Sequence, residues 1–286
     1  MTPYHFGGRT AVLTGAASGI GEQLAYQLAA RGSDLVLVDV DAARLKDVAA
    51  RIDRVTPGRS VQTLVADLSD RSAVAGVATQ VLAEHPAIGL LVNNAGMALG
   101  GRFDQVTADE FEKVMNVNFR APFLLTHALL PSLKAAPGAH LVNVSSLFGL
   151  IAPPGQSAYC ASKFALRGLS QVLHSELADD GIGVTTVHPG GIRTRIAENA
   201  VVGSGVPAEE FEANRRVIDK LLTYPPEKAA RQILDAVAKR KTRLLIASSA
   251  KVPDLLARLL PVAHERIVRA ATTASVGRRA PQGAAR

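Results

Sequence analysis

Tyr159 and Lys163 stand four residues apart in a stretch, 158–177, whose apolar residues recur at helical spacing, so their side chains share one face. A free tyrosine gives up its proton near pH 10 and is a poor acid–base catalyst at neutrality. An ammonium about 4 Å away, at an effective dielectric of about 20, favours the phenolate by roughly 4 kcal/mol. That corresponds to about three pKa units, enough to bring a phenol within reach of neutral pH. Such a pair can pass a proton to or from an oxygen. The plain alternative is a surface i,i+4 pair, and the rest of the chain has to decide between them.

A second constellation lies near the start. Thr14-Gly-Ala-Ala-Ser-Gly-Ile-Gly21 directly follows a β-branched run and opens a helical pattern at 20–31. Gly15 permits a sharp turn, Gly19 lets backbone approach a pyrophosphate, and Gly21 allows close helix–strand packing. A helix N-terminus beginning at Ser18, Gly19 and Ile20 presents unpaired N–H groups and a positive dipole end to phosphates. The alternative is an ordinary glycine-rich turn, but the position between a first strand and a first helix marks a dinucleotide loop. Asp39 ends the second apolar run, 24 positions after Gly15. A carboxylate there accepts from both adenosine ribose hydroxyls and repels a 2′-phosphate, so NAD is expected as cofactor before NADP.

The elements that must position these groups can be read from pattern. Strands are predicted at 10–14, 34–39, 61–66, 89–93, 140–145, 183–188 and 243–246. Leu35-Val36-Leu37-Val38 is an unbroken apolar run, as expected of a strand covered on both faces. Helices lie between them: Asp41 is placed to N-cap 42–54, Thr107-Ala-Asp-Glu110 forms a capping box, and Pro226 opens 227–239. Strands alternating with helices imply an α/β fold, a single doubly wound Rossmann domain with a mainly parallel seven-stranded sheet. Ligands in such a sheet bind beyond the carboxyl ends of the strands. The domain is predicted to occupy 1–249, with a C-terminal helical extension at 250–271 and a flexible tail at 272–286.

The ordered series TGAASGIG at 14–21, Asp67-Leu68, Asn93-Asn94-Ala95-Gly96, Asn118, Ser145-Ser146, Tyr159-x-x-x-Lys163 and Pro189-Gly190 resembles the classical short-chain dehydrogenase/reductase family from about Gly8 to Ile246. The resemblance implies an oxidoreductase moving a hydride between a nicotinamide cofactor and a secondary alcohol or ketone. In that family the serine thirteen positions before the tyrosine hydrogen-bonds the substrate oxygen. This implies Ser146 as oxygen-binding donor, Tyr159 as general acid or base, and Lys163 as the group that lowers the tyrosine pKa and holds the cofactor ribose. It also implies that Asn118, rather than Asn116, holds a proton-relaying water. Asn93 would face the adenosine ribose, with Ala95 and Gly96 allowing close backbone approach, while Asn94 ties the sheet together. Asp67 and Leu68 join the cofactor set, as do Pro189, Gly190, Ile192 and Thr194 around the nicotinamide. Ser18 and Val40 are neutral where phosphate-binding relatives place a cation, and Arg44 is the nearest cation. The same-fold alternative is an NADPH-dependent carbonyl or 3-ketoacyl reductase. A non-catalytic nucleotide-sensing protein would usually lack the tyrosine–lysine pair.

Composition narrows the remaining classes. There is no tryptophan and aromatics make up 4% of residues, which argues against a carbohydrate or single-strand stacking platform. Cys160 is the only cysteine; no internal disulfide can form, it is expected as a buried small residue, and a cytoplasmic protein is the natural expectation. No signal peptide or bilayer-spanning run is evident. The seven histidines, His5, His85, His127, His140, His174, His188 and His264, show no ligand spacing, so no metal is expected and they read as surface or packing residues. From Lys239 onward there are eleven Lys/Arg and two acids, against 21 bases and 23 acids before it. Without aromatic interleaving or a groove-binding motif, no nucleic acid is expected. Leu256, Leu259, Leu260, Ala263, Ile267 and Ala270 form a helical stripe broken at Pro261. The extension is therefore expected at a homodimer or homotetramer interface, or over the pocket, before peripheral membrane contact. Met97, Leu99, Phe148, Leu150, Ile151, Pro153, Pro154 and Ile196 are expected around an apolar substrate pocket, under a mobile lid at 198–224 whose helical pattern spans 208–222.

Overall fold

The computed structural model describes residues 2–194 and 200–276. Ile196 and Glu198, expected at the pocket and lid, lie outside them. Seven strands form one parallel sheet: β1 (Thr10–Thr14), β2 (Asp34–Asp39), β3 (Val61–Val65), β4 (Leu90–Asn93), β5 (His140–Val144), β6 (Gly183–Pro189) and β7 (Arg243–Ile246), in the order 3-2-1-4-5-6-7. The apolar runs of the inner strands, β2 among them, are covered on both faces, as the continuous pattern of β2 predicts, whereas edge strand β3 leaves Thr63 and Val65 exposed. Alternate residues feed two cores. Leu13, Leu35, Leu37, Leu90 and Val92 pack with helices α1 (Gly19–Ala30), α2 (Ala42–Val55) and α8 (Pro226–Ala238). Val12, Val36, Val38, Leu91 and Leu141 pack on the other side with α3 (Arg71–Glu84) and α5 (Ala121–Ala135). A fully buried leucine contributes about 1.5–3 kcal/mol, so both layers hold the sheet that presents the site.

Local signals place the helices. Asp41 accepts from the Arg44 N–H at 3.1 Å and caps α2. Thr107 and Glu110 exchange both capping bonds at the start of α4 (Ala108–Met115). Between α4 and α5 the chain makes a π-helical turn, Asn116–Arg120, which periodicity does not reveal. A two-stranded parallel pair, Leu99–Gly100 with Val201–Val202, is also absent from the sequence pattern, because its members are too short to show alternation.

The segment expected as a lid is tied at both ends. Val201 donates to Ala98 O at 2.9 Å, α7 follows at Ala208–Leu221, and Tyr224 closes it by pairing with Ile192. The C-terminal extension begins with α9 (Ser248–Leu259), whose buried Ala250 and Asp254 face β7; Asp254 is ion-paired with Arg243. Helix α10 (Ala263–Val276) packs on α7. It continues through Val276, so 272–276, expected as part of a flexible tail, are helical, while 277–286 lie outside the described residues. No helix among the described residues is long and apolar enough to cross a membrane.

Gly15 and Gly21 make the first turn compact. Gly15 sits at φ +66°, and a Cβ there would lie 2.8 Å from Ala95 Cα. A Cβ on Gly21 would overlap the Gly15 carbonyl oxygen and crowd Asn94 Nδ2 at 2.6 Å. Gly21→Ala should therefore cost about 1–3 kcal/mol by overpacking. A melting temperature lowered by several degrees in thermal denaturation is the expected result, and an unchanged one would show that the turn can relax.

Candidate active site

The carboxyl ends of β1, β2 and β4 build a cradle. Thr14 Oγ1 accepts from the N–H groups of Asn94 and Ala95, both at 3.0 Å. Asn94 Nδ2 donates to the carbonyls of Thr14 at 3.0 Å and Gly15 at 3.1 Å. Asp39 accepts from Ala17 N–H at 2.9 Å and from Asp41 N–H at 3.0 Å, which holds its carboxylate beside the glycine loop. Ser18 takes an extended conformation before α1, and its hydroxyl makes no capping bond. The first N–H groups of α1 therefore keep their capacity for an anion. A Cβ on Gly19 would meet Thr194 at 3.0 Å, so Thr194 closes the far side of the loop. This cradle of backbone donors, with a carboxylate at the end of β2, fits a dinucleotide.

Other expected contacts are distributed differently. Asn93 does not reach the loop. Its side chain is buried, and Nδ2 donates to Thr126 Oγ1 at 3.1 Å and Asn143 Oδ1 at 2.8 Å. It knits β4 to α5 and β5, because successive residues at a strand end point to opposite sides. Asp67 is exposed in the turn after β3 and accepts from Ser69 N–H at 2.8 Å, while Leu68 is buried. Gly190 donates to Ile246 O at 3.1 Å and leaves no room for a side chain against Ser249; Pro189 ends β6, and Ile192 is buried.

Four polar side chains meet at the carboxyl ends of β4 and β5. Ser146 lies two residues beyond β5, rather than ending it, and caps the short 3₁₀ turn Leu147–Gly149 by accepting from Phe148 N–H at 3.1 Å. Tyr159 and Lys163 project from α6 (Ser157–Glu176). Burial pushes the Tyr159 phenol up, and a hydrogen bond with Ser146 works against that rise. Lys163 is 2% exposed, and burial pushes its ammonium down to about 8. Its Nζ donates to Val144 O at 3.0 Å and stands 5.7 Å from the centre of the Tyr159 ring. The lysine is thus held by a main-chain carbonyl beside the ring, and the influence that opposes the rise of the phenol is the one from Ser146.

Asn118 lies on the π turn, fully buried. It accepts from Met97 N–H at 2.9 Å and donates to Met97 O at 2.9 Å and Ser162 Oγ at 3.0 Å. Its amide thus fastens the loop after β4 to α6 more than it offers itself to a water. Gly96 lies between, since a Cβ there would meet Asn118 Oδ1 and Lys163 Nζ, both at 3.3 Å. Asn116 on the same turn has a buried Oδ1 without a protein partner. Of the apolar residues expected around the substrate, Phe148 packs edge-on to Tyr159 with centroids 6.1 Å apart, and Met97 is half-buried. Leu150 and Ile151 are buried, and Leu99 is drawn into a small core with Val114 and Ala158.

The sequence profile of the short chain dehydrogenases matches residues 9–203. This chain belongs to that family. It is 39% identical over 269 residues to the putative oxidoreductase SadH of Mycobacterium tuberculosis, covering 93% of this chain and 95% of that one. Among solved structures it resembles a short chain dehydrogenase/reductase from Burkholderia phymatum in complex with NAD (TM-score 0.80, 29% identity, 92% of this chain and 95% of that chain). It also resembles a short-chain dehydrogenase from Sphingobium yanoikuyae in complex with NADPH (TM-score 0.73, 32% identity, 89% and 94%). The protein is an NAD(P)-dependent short-chain oxidoreductase.

Residues given no role in the sequence reading complete the site of this short-chain dehydrogenase. Ser145 Oγ donates to Lys163 O at 2.9 Å, and Ser162 Oγ donates to Tyr159 O at 2.8 Å while receiving Asn118. His188, expected only as a surface or packing residue, is 1% exposed near the end of β6, and its Nδ1 lies 3.0 Å from Ser146 O. Only Nδ1–H can donate to a carbonyl, so the tautomer follows from the contact. Burial pushes this imidazole down to about 4, and it is neutral at physiological pH. Its place at a strand's carboxyl end was the available signal. An asparagine amide superposes on Nδ1, whereas a glutamine amide superposes on Nε2. His188→Asn should keep turnover within a few-fold, and His188→Gln should lose about tenfold, the equivalent of one hydrogen bond of about 1.4 kcal/mol. Cofactor affinity should stay unchanged in both, as read by nucleotide fluorescence titration. Equal turnover in the two variants would reduce His188 to packing.

Proposed function

We propose that this enzyme interconverts an uncharged, lipophilic secondary alcohol and its ketone, with NAD preferred to NADP. The observation that carries the reading is the convergence of Ser146, Tyr159 and the buried Lys163 beside the glycine cradle. The bound nicotinamide supplies the hydride chemistry, and the protein supplies position and the proton path. Ser146 donates to the substrate oxygen. Tyr159, whose burial favours the protonated phenol, delivers a proton to that oxygen when a ketone is reduced; in the reverse direction it first gives up that proton, and its phenolate takes the proton of the alcohol. Lys163, with its ammonium near 8, can exchange a proton close to neutrality and restore the phenol. It would also hold the ribose of the cofactor. Asn118 holds the loop and helix on which these three depend. Phe148, Met97, Leu150 and Ile151 bring no charge to the substrate side, which supports an uncharged substrate.

Asp39 supports the cofactor preference, because the N–H groups of Ala17 and Asp41 hold its carboxylate beside the glycine loop, where its charge would disfavour a 2′-phosphate. Arg44, the nearest cation, is held by Asp41 at 3.3 Å, and Val40 is exposed and neutral. The enzyme would work as a homodimer or homotetramer through the face of α5 and α6, where Phe123, Phe164 and Val172 are exposed.

A panel of neutral and acidic alcohols and ketones, followed by cofactor absorbance, tests the reaction. Tyr159→Phe should lower turnover by about 10²–10⁴-fold, the span of acid–base catalysis, with cofactor binding intact. Full activity in that variant, or turnover of acidic substrates alone, would remove the reading.

The catalytic efficiency of the wild type should be higher with NAD than with NADP. Asp39→Ala combined with Val40→Arg should move the preference toward NADP. A clear NADP advantage in the wild type would point instead to an NADPH-dependent carbonyl or 3-ketoacyl reductase.

A further inference from the structure

The C-terminal helix α9 has two unlike sides. Ala250 and Asp254 are buried against the body, and Asp254 is paired with Arg243. Val252, Leu255 and Leu259, at i, i+3 and i+7 on another side, are 67%, 57% and 69% exposed. Further along the chain Leu260 and Val262 in the turn and Ile267 on α10 are exposed as well. Six of the sixteen large hydrophobic residues exposed among those described fall within these sixteen positions, so this is a patch and not scatter. On the helical wheel Lys251 and Arg258 border the α9 stripe, and Arg266 adjoins Ile267; all three are exposed. The acid of α9, Asp254, is turned inward, which leaves Glu265 as the acid exposed on the two helices. The chain beyond it carries Arg269, Arg278, Arg279 and Arg286 and no acid.

From sequence the extension is expected at a protein interface or over the pocket. The inner side of α9 is occupied by the body, where it packs on β7 and the turn that Ser146 caps. The outer side needs an occupant that is apolar where the stripe is and anionic around it. A second copy of this chain is the poorer match in charge, because residues 1–238 carry 21 bases and 23 acids and are close to neutral overall. A bilayer containing anionic lipid satisfies both demands. We propose that the outer face of α9, with the turn and α10, docks on an anionic lipid surface. No aromatic residue follows Tyr224, so the attachment is reversible and salt-sensitive rather than an anchor. This inference does not depend on the substrate or cofactor proposed above.

The test is sedimentation of the full-length protein with vesicles of pure phosphatidylcholine and of phosphatidylcholine with phosphatidylserine. The expected result is binding to the anionic vesicles at least tenfold stronger than to the neutral ones, and its loss in 0.5 M NaCl. Leu255→Glu with Leu259→Glu, and separately Lys251→Glu with Arg258→Glu, should each weaken it about tenfold or more. Both pairs are exposed, so folding and NAD(P)H binding should remain as in the wild type. Failure to sediment with anionic vesicles, or equal sedimentation of wild type and both variants, overturns the proposal. So does a fall in the lipid-free mass of the Leu255→Glu, Leu259→Glu protein measured by light scattering, which assigns the stripe to a second copy.

Discussion

Lys163 is buried to 2% of its surface, yet its Nζ meets a main-chain carbonyl, Val144 O, at 3.0 Å. Burying an ammonium without an opposing carboxylate is costly, and the group responds by releasing its proton more readily. The site is arranged around that constraint. Val144 ends β5, so the lysine is tethered to the strand whose next residues include Ser146. Ser145 grips the Lys163 carbonyl, and Gly96 keeps the loop after β4 close enough to shield the amine. Moving any of these parts would rehydrate the ammonium and restore its ordinary basicity.

The sheet topology explains why so few residues suffice. Parallel strands deliver all their carboxyl ends to one edge, and β1 and β4 are adjacent. Thr14 and Asn94 bind the two loops directly to one another. The cofactor cradle and the proton-transfer groups are therefore parts of one rigid rim. Side chains bonded to main-chain groups fasten that rim, Thr14, Asn94 and Asp39 on the cofactor side and Lys163 and Asn118 on the other.

What could be read in advance follows from the physics of each signal. The β2 strand was legible because a short, unbroken apolar run must be covered on both faces. The α2 and α4 boundaries were legible because Asp41 and Thr107 satisfy N–H groups one turn ahead. Glycine chemistry located the first turn. Other features turn on side-chain direction, which spacing does not contain. Asn93 and Asn94 are neighbours, and only strand orientation decides which enters the core and which reaches the loop. Four-residue spacing puts Lys163 on the same face as Tyr159, but its long stem ends at whichever acceptor is nearest, and that is Val144 O. His188 contacts Ser146 across 42 positions, and Leu99 pairs with Val201 across about a hundred; no local periodicity carries either.

That pairing of Leu99 with Val201 has an evolutionary consequence. Its first strand follows Met97, which Asn118 clamps, and the far end of the same segment returns to Ile192 through Tyr224. The segment after Met97 and the loop after β6 are thus spliced through a single stretch of chain. In the function proposed above, where that stretch walls the substrate and Ile192 lies beside the nicotinamide, a lineage altering residues 201–224 would change its pocket and its hydride geometry together. Phe148, which packs on Tyr159, stands outside that splice.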